Sequence, residues 1–260
     1  RETSWQMSSN VSTLVGALIR ESQVDATLEL LSALLKPTVS DTSEVERGEY
    51  SGTRTEIHCR LRPRSVQSLF DEYGDELVAT CGTDLLNLLD EQFRTCLDLI
   101  VSQSADEVPP ERLLRRRLVA DQLNPTKIET VFLQVTEDVL GSLLAHDASA
   151  GSTWMRDYLE DDGVFKQIAV SVLARHPEQA PRLVREVLTS TEHIVDREIS
   201  TEYISLLDSG FDIIPVENQK TVLKRIDEAL NEDDIRERLS DQRNFDSMDE
   251  LDQAVDAQID

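Results

Sequence analysis

Glycine is scarce: nine residues in a chain of 260 leave few places where backbone could approach a phosphate closely. Neither GxxxxGKS/T nor GxGxxG occurs, so the usual nucleotide cradles are missing. There is no HExxH helix and no GxSxG elbow. The four histidines (His58, His146, His176, His193) are scattered, and only His58 has a possible metal ligand beside it, Cys59. Adjacent side chains on a strand diverge, so no metal site, no cofactor and no catalytic residue is expected. No apolar run approaches the roughly 20 residues of a membrane-spanning helix, and the N-terminus does not read as a signal peptide. Cys59, Cys81 and Cys96 are odd in number and lack CxxC spacing, which suits buried thiols in a reducing, cytoplasmic setting.

Lysine is also nearly absent. Of 26 basic residues 21 are arginine and 5 are lysine, set against 51 acidic ones for a formal charge of −25. A surface so negative repels phosphate and disfavours duplex nucleic acid and anionic membranes as partners. An acidic, arginine-retaining composition resembles that of salt-accumulating, haloarchaeal cells, since at molar salt a Debye length of about 3 Å screens the self-repulsion. An ordinary acidic protein is the other reading. With 39% hydrophobic residues the chain has enough apolar material for a folded core. It starts at Arg1, which reads as a piece of something longer.

What is plentiful is apolar spacing of three and four. Val11, Leu14, Val15, Leu18 and Ile19 make one stripe. Leu28, Leu31 and Leu35 make another, stopped by Pro37. Residues 38–56 read as a long polar loop. Ile57, Cys59 and Leu61 alternate with His58, Arg60 and Arg62, a short extended segment ending at Pro63. Thr83 is a candidate N-cap for a helix carrying Leu85, Leu86, Leu89, Phe93, Cys96, Leu97 and Ile100. Pro109-Pro110 marks the best internal boundary. Asn124-Pro125 opens a helix running from Ile128 to Leu144. Val164 to Leu173 form another, ended by His176-Pro177, and Pro181 and Pro215 open two more. Gly210 reads as a C-cap, and Ser247–Glu250 has capping-box spacing ahead of Leu251, Val255 and Ile259.

Three groups of polar residues invite a functional reading. Arg112, Arg115, Arg116 and Arg117 crowd one predicted helix, and Arg60, Arg62 and Arg64 alternate on one face of the extended segment. Each could dock an acidic partner surface or a phosphate, although internal bridging to acidic helices is the commoner use. Trp154 and Tyr158 are candidate aromatic anchors. Asp212, Glu217 and Lys220 faintly echo a nuclease carboxylate–lysine set, whereas a Glu–Lys pair three apart on a helix is usually a solvated ion pair. Glu160-Asp161-Asp162-Gly163 lacks the alternating ligands of a calcium loop and reads as a helix-capping turn.

Glu202–Leu207, with Phe211, Pro215, Gln219, Val222-Leu223 and Ile226, resembles a segment of very large prokaryotic STAND-type ATPases of antiviral defence. Gly82–Leu89 and Val164–Leu173 fit the same pattern, over about residues 80–230. The resemblance implies a helical sensor or scaffold region, with the ATPase module elsewhere in a parent protein, so no catalytic residue carries over.

The expected fold is therefore all-α, a HEAT-like or irregular array of antiparallel helical hairpins (an α-solenoid) with at most one short extended segment near 56–62. The expected organisation is an N-terminal helical subdomain at 1–108, a helical-repeat array at 109–245 and an acidic C-terminal helix at 246–260. The expected function is non-catalytic protein–protein recognition, by a protein partner or other domains of the same chain. A degenerate metal-dependent nuclease or phosphoryl-transfer domain is the alternative.

Overall fold

A computed structural model describes residues 2–42, 54–102, 127–161, 163–196 and 199–229. Among these residues the protein is all-α apart from one two-stranded ribbon. The chain divides into two compact units, Arg1–Val172 and Leu173–Asp260. The boundary expected at Pro109-Pro110 and the C-terminal helix at 246–260 lie outside the described residues.

In the first unit α1 (Glu2–Arg20) and α2 (Val24–Leu35) pack against each other. Pro37 follows the end of α2, and the chain turns into β1 (Thr38–Thr42), which pairs antiparallel with β2 (Arg54–His58), Val39 opposite Ile57. This corrects the expectation of a single extended segment near 56–62. A lone strand leaves its backbone groups unpaired, and the ends of the supposed polar loop supply the missing partner. The second strand also stops at His58, and Cys59 turns inward, its thiol donating to the Leu35 carbonyl at 2.9 Å.

Pro63 occupies the first turn of α3 (Pro63–Cys81), where its missing N–H costs nothing. α3 hands over to α4 (Thr83–Ser102) through Gly82 alone. Gly82 has φ +55 and donates its N–H to the Val78 carbonyl at 2.8 Å. A side chain at that φ would be strained.

The middle of this unit is α5 (Ile128–His146), which packs against α3, α4 and α6 (Ala148–Glu160). Val131, Phe132, Val135, Val139, Leu140 and Leu143 are all buried, and so are Glu129, Thr130 and Thr136. A helix covered on most sides sits inside its bundle. Asp147 alone joins α5 to α6, and its carboxylate accepts from the Ser149 and Ala150 N–H groups at 3.0 Å each. That is an N-cap, and it satisfies donors the new helix cannot pair internally. Gly151 lets α6 cross close over α5: a Cβ there would lie 2.6 Å from Leu144 Cα. Cys59, Cys81 and Cys96 are all buried, and none of the three forms a disulfide.

α7 (Val164–Arg175) contributes Phe165, Ile168, Ala169 and Val172 to buried positions. The division between units falls within it. The second unit continues with α8 (Pro181–Leu188), α9 (Thr191–Val195), α10 (Ser200–Gly210), a 3-10 turn (Phe211–Ile213) and α11 (Val216–Ala229). Leu183, Val184, Val187, Ile199, Leu206 and Val222 are buried. Tyr203 donates its hydroxyl to the Leu188 carbonyl at 3.0 Å, pairing an acceptor that the end of α8 leaves open. The Gln219 side chain donates to the Phe211 and Ile214 carbonyls at 3.1 Å each. Gly210 is not the left-handed cap its position suggested, because its φ is −106. Its lack of a side chain serves close packing instead, since a Cβ would sit 2.8 Å from Val184 Cγ1.

Candidate functional site

Three places in the described residues gather polar or unpartnered groups, and each is built by the helices just described. The first is a clasp between α4, α6 and the residues that follow α6. Arg94 donates from Nε to Asp90 Oδ2 at 2.9 Å, one turn back on α4, and from Nη2 to Asp161 Oδ2 at 2.7 Å. Its guanidinium also lies 3.9 Å from the centroid of the Phe165 ring, a cation–π stack. Tyr158 donates to the other oxygen of Asp90 at 3.0 Å. Below these, Tyr158 lies 5.0 Å from Phe165, and Phe165 lies 5.5 Å from Phe93.

Burial, then the Asp90 charge and hydrogen bond, push the Tyr158 hydroxyl well above its ordinary pKa. Burial alone would lower that of Arg94, but its hydrogen bonds to Asp90 and Asp161 outweigh this and raise it. Both groups are thus held in the protonation state the clasp needs. Every member faces another member, so the clasp is a structural tie. Tyr158 is accordingly corrected from partner anchor to core residue: it is 1% exposed. Trp154 packs edge-on against it at 5.6 Å and is half-buried. Sequence reading could have found the Asp90–Arg94 pair from its spacing of four. Asp161 could not be found this way, since it is 67 residues from Arg94.

The second place is a cavity of about 220 Å³ between α3 and α5. Phe70 and Val139 line it together with Asp71, Glu72, Asp75, Glu76 and Asp138. Ser142 donates to Asp75 at 2.8 Å, and Gly74 leaves open space where a Cβ would stand. Among the described residues the charged side chains that line it are all acidic, a negative potential unfavourable to phosphates and other anions. Among the described residues no group of three or more histidine, cysteine, aspartate or glutamate side chains could hold a metal ion.

The third is the outer face of α11. Val216 and Leu223 are 63% and 57% exposed. Seven residues apart, they stand on one side of the helix, two turns from each other. Lys220 lies between them and is exposed, and Lys224 on the adjoining flank makes a surface pair with Glu228 at 3.2 Å. Val222 points the other way and is fully buried.

The remaining candidates are quickly placed. Arg112, Arg115, Arg116 and Arg117 lie outside the described residues. Arg60, Arg62 and Arg64 are exposed, but they do not share a strand face. Arg60 follows the end of β2, Arg62 is the N-cap of α3 and Arg64 is within that helix. The alternation fails because the strand gives way to a helix at Pro63. Asp212, Glu217 and Lys220 are all exposed, without the enclosure that lets carboxylates and a lysine work on a bound phosphate. No helix of the described residues is long and apolar enough to cross a membrane.

No protein-family model matches the chain, and no curated protein or solved structure matches it.

Proposed function

We propose that this chain is a non-catalytic helical scaffold or sensor region that recognises a protein, either a separate partner or other domains of a larger parent chain. The observation that carries the reading is the α11 face, where two large apolar side chains remain in water beside lysines. An apolar strip rimmed by charge is what a helical recognition surface offers a partner. The polar groups of the first unit support the same reading, because the clasp around Arg94 is consumed in holding helices together.

In the fuller form of this proposal the helical pairs belong to a HEAT-like array in a cytoplasmic, halophilic, STAND-like defence protein. The resemblance of Glu202–Ile226 and the charge of −25 support it. A photo-crosslinking residue in place of Leu223, installed in the full chain within cells that produce it, tests the core of the idea. A discrete intermolecular adduct is expected at position 223 and not at exposed position 71 on α3. Equal, diffuse labelling at both positions overturns it.

A further inference from the structure

We propose that Lys36, Arg60 and Arg62, where the ribbon joins α2 and α3, form a docking surface for an acidic stretch of a partner polypeptide. The inference rests on the reading of the chain as a protein-recognition region. It adds a surface on the first unit and names the chemistry of what binds there.

Two segments of chain bring the three cations together. The register that pairs Thr38 with His58, continued by two residues, sets Lys36 opposite Arg60. Beyond the ribbon the segments remain tied. The Cys59 thiol donates to the Leu35 carbonyl at 2.9 Å, and the Leu61 N–H donates to the Leu34 carbonyl at 3.4 Å. Leu35, Pro37, Cys59 and Leu61 are buried, so Lys36 and Arg60, which stand between them, are turned outward. Arg62, after Leu61, is exposed as well. This shared exposure comes from buried neighbours rather than from the strand, which ends at His58.

The arrangement runs against the charge of the molecule. Acidic residues outnumber basic ones by 51 to 26, yet among the described residues no ion pair holds Lys36, Arg60 or Arg62. Arg64 does have a partner and is not counted with them. Like charges set opposite one another in a ribbon repel. The acids next along the chain stand off. Glu29 is seven residues before Lys36 on α2, roughly 10 Å along the helix. Glu56 is four residues before Arg60 on β2, roughly 13 Å along the strand. The Asp71 carboxylate, two turns beyond Arg64 on α3, accepts from the Gln67 amide at 2.8 Å. At 0.1 M salt the Debye length is about 10 Å, so these carboxylates offset little of the local positive charge.

The favoured occupant is a short carboxylate-bearing segment, since arginine takes carboxylates in a forked, two-bond geometry. Aspartate or glutamate at alternate positions of an extended segment stand roughly 7 Å apart on one side. That spacing suits Arg60 and Arg62, two outward residues flanking a buried one. Nucleic acid offers the same cations a much denser row of phosphates, which the −25 of the whole chain opposes.

Fluorescence anisotropy of a dye-labelled peptide, glutamates alternating with glycines, titrated with the full chain at about 0.05 M salt, tests the proposal. Saturable binding is expected, weaker by about tenfold or more in Arg60→Glu/Arg62→Glu. Arg20 and Arg182 are also exposed, and Arg20→Glu/Arg182→Glu, which alters the net charge equally, should weaken it by about threefold or less. Lys36→Glu gives a second readout. It should weaken peptide binding and yet raise the urea midpoint of the first unit, because it replaces a repelling pair by an attracting one. A merely structural role does not move the two in opposite directions. Absence of binding to the wild-type chain overturns the proposal, and so does equal weakening in both double variants. A lower midpoint in Lys36→Glu overturns it too, because an acid of the chain itself then holds that cation. Tighter binding of an oligothymidylate of equal charge, also lost in Arg60→Glu/Arg62→Glu, assigns the surface to nucleic acid and overturns it likewise. None of these measurements involves position 223, so the crosslinking test of the scaffold reading passes or fails independently of them.

Discussion

Replacing two glycines by alanine should move the stability of the first unit in opposite directions. At Gly151 the new Cβ would stand 2.6 Å from Leu144 Cα and 2.9 Å from its backbone nitrogen. Carbon atoms in contact settle at about 3.5–4.0 Å, so α6 must retreat from α5 by roughly 1 Å at its first turn. Backbone cannot rotate aside as a side chain can. Overpacking of this kind costs about 1–3 kcal/mol, and the better helix propensity of alanine returns at most roughly 1 kcal/mol. The net expectation for Gly151→Ala is a loss of about 1–2 kcal/mol. Gly74 lies inside α3 with nothing within 4 Å of a built Cβ, so Gly74→Ala should gain about 0.5–1 kcal/mol. Both tryptophans, Trp5 and Trp154, belong to the first unit, so urea unfolding followed by tryptophan fluorescence reads that unit directly. A Gly151→Ala midpoint at or above that of the wild type refutes the close crossing of α5 and α6.

Three further outcomes follow from the geometry. Tyr158→Phe removes the hydroxyl that donates to the Asp90 carboxylate and should cost about 1.5–3 kcal/mol; in the same fluorescence assay, no loss would mean the clasp is not formed in solution. Thr136 is fully buried and its hydroxyl has no hydrogen-bond partner among the described residues. Thr136→Val should therefore stabilise the first unit, by about 1 kcal/mol, and a lower urea midpoint would contradict this. The third concerns alkali. Burial pushes the Cys59 thiol up to about 12 from an ordinary 9.0, and burial likewise pushes Tyr203 up to about 12 from 10.0, with Arg225 pulling slightly the other way. The unfolded chain releases these protons first, so it binds fewer of them than the folded chain does. Stability is therefore fully present below about pH 9 and falls as pH rises toward 12. Cys59→Ala should flatten that fall in the tryptophan signal, and Tyr203→Phe should flatten it in far-ultraviolet circular dichroism; unchanged slopes would contradict the assignment.

Helices were easy to read in this sequence because their apolar faces are buried where the spacing says. Leu85, Leu89, Phe93 and Cys96 are all fully buried on α4, and Pro63, Pro181 and Pro215 stand where helices begin. The ribbon was harder. Thr38–Thr42 has no strong alternation of its own and gains its strand character from β2 across a long connection. The arginine alternation at 60, 62 and 64 misled for a related reason, since period two means one face only while the chain stays extended. Tyr158 shows the limit most plainly. Nothing local distinguishes an exposed aromatic anchor from a buried one, and only Asp90, 68 residues away, decides it. The α11 strip was not legible: Val222 and Leu223 stand side by side in the sequence, and nothing local tells that the first is buried and the second, with Val216, exposed, because a stripe looks the same whether or not a neighbour covers it.

The corners at Gly82 and Asp147 leave no slack. Each is one residue long, so an insertion or deletion there swings the following helix by about 100° about its axis, turning buried leucines toward water and acids toward the interior. Fusion tags, reporters and natural length variation should therefore be tolerated poorly at these two positions. Where the chain can be lengthened is instead between Thr42 and Arg54, whose flanking strands are already zipped and hold their own register whatever is threaded between them.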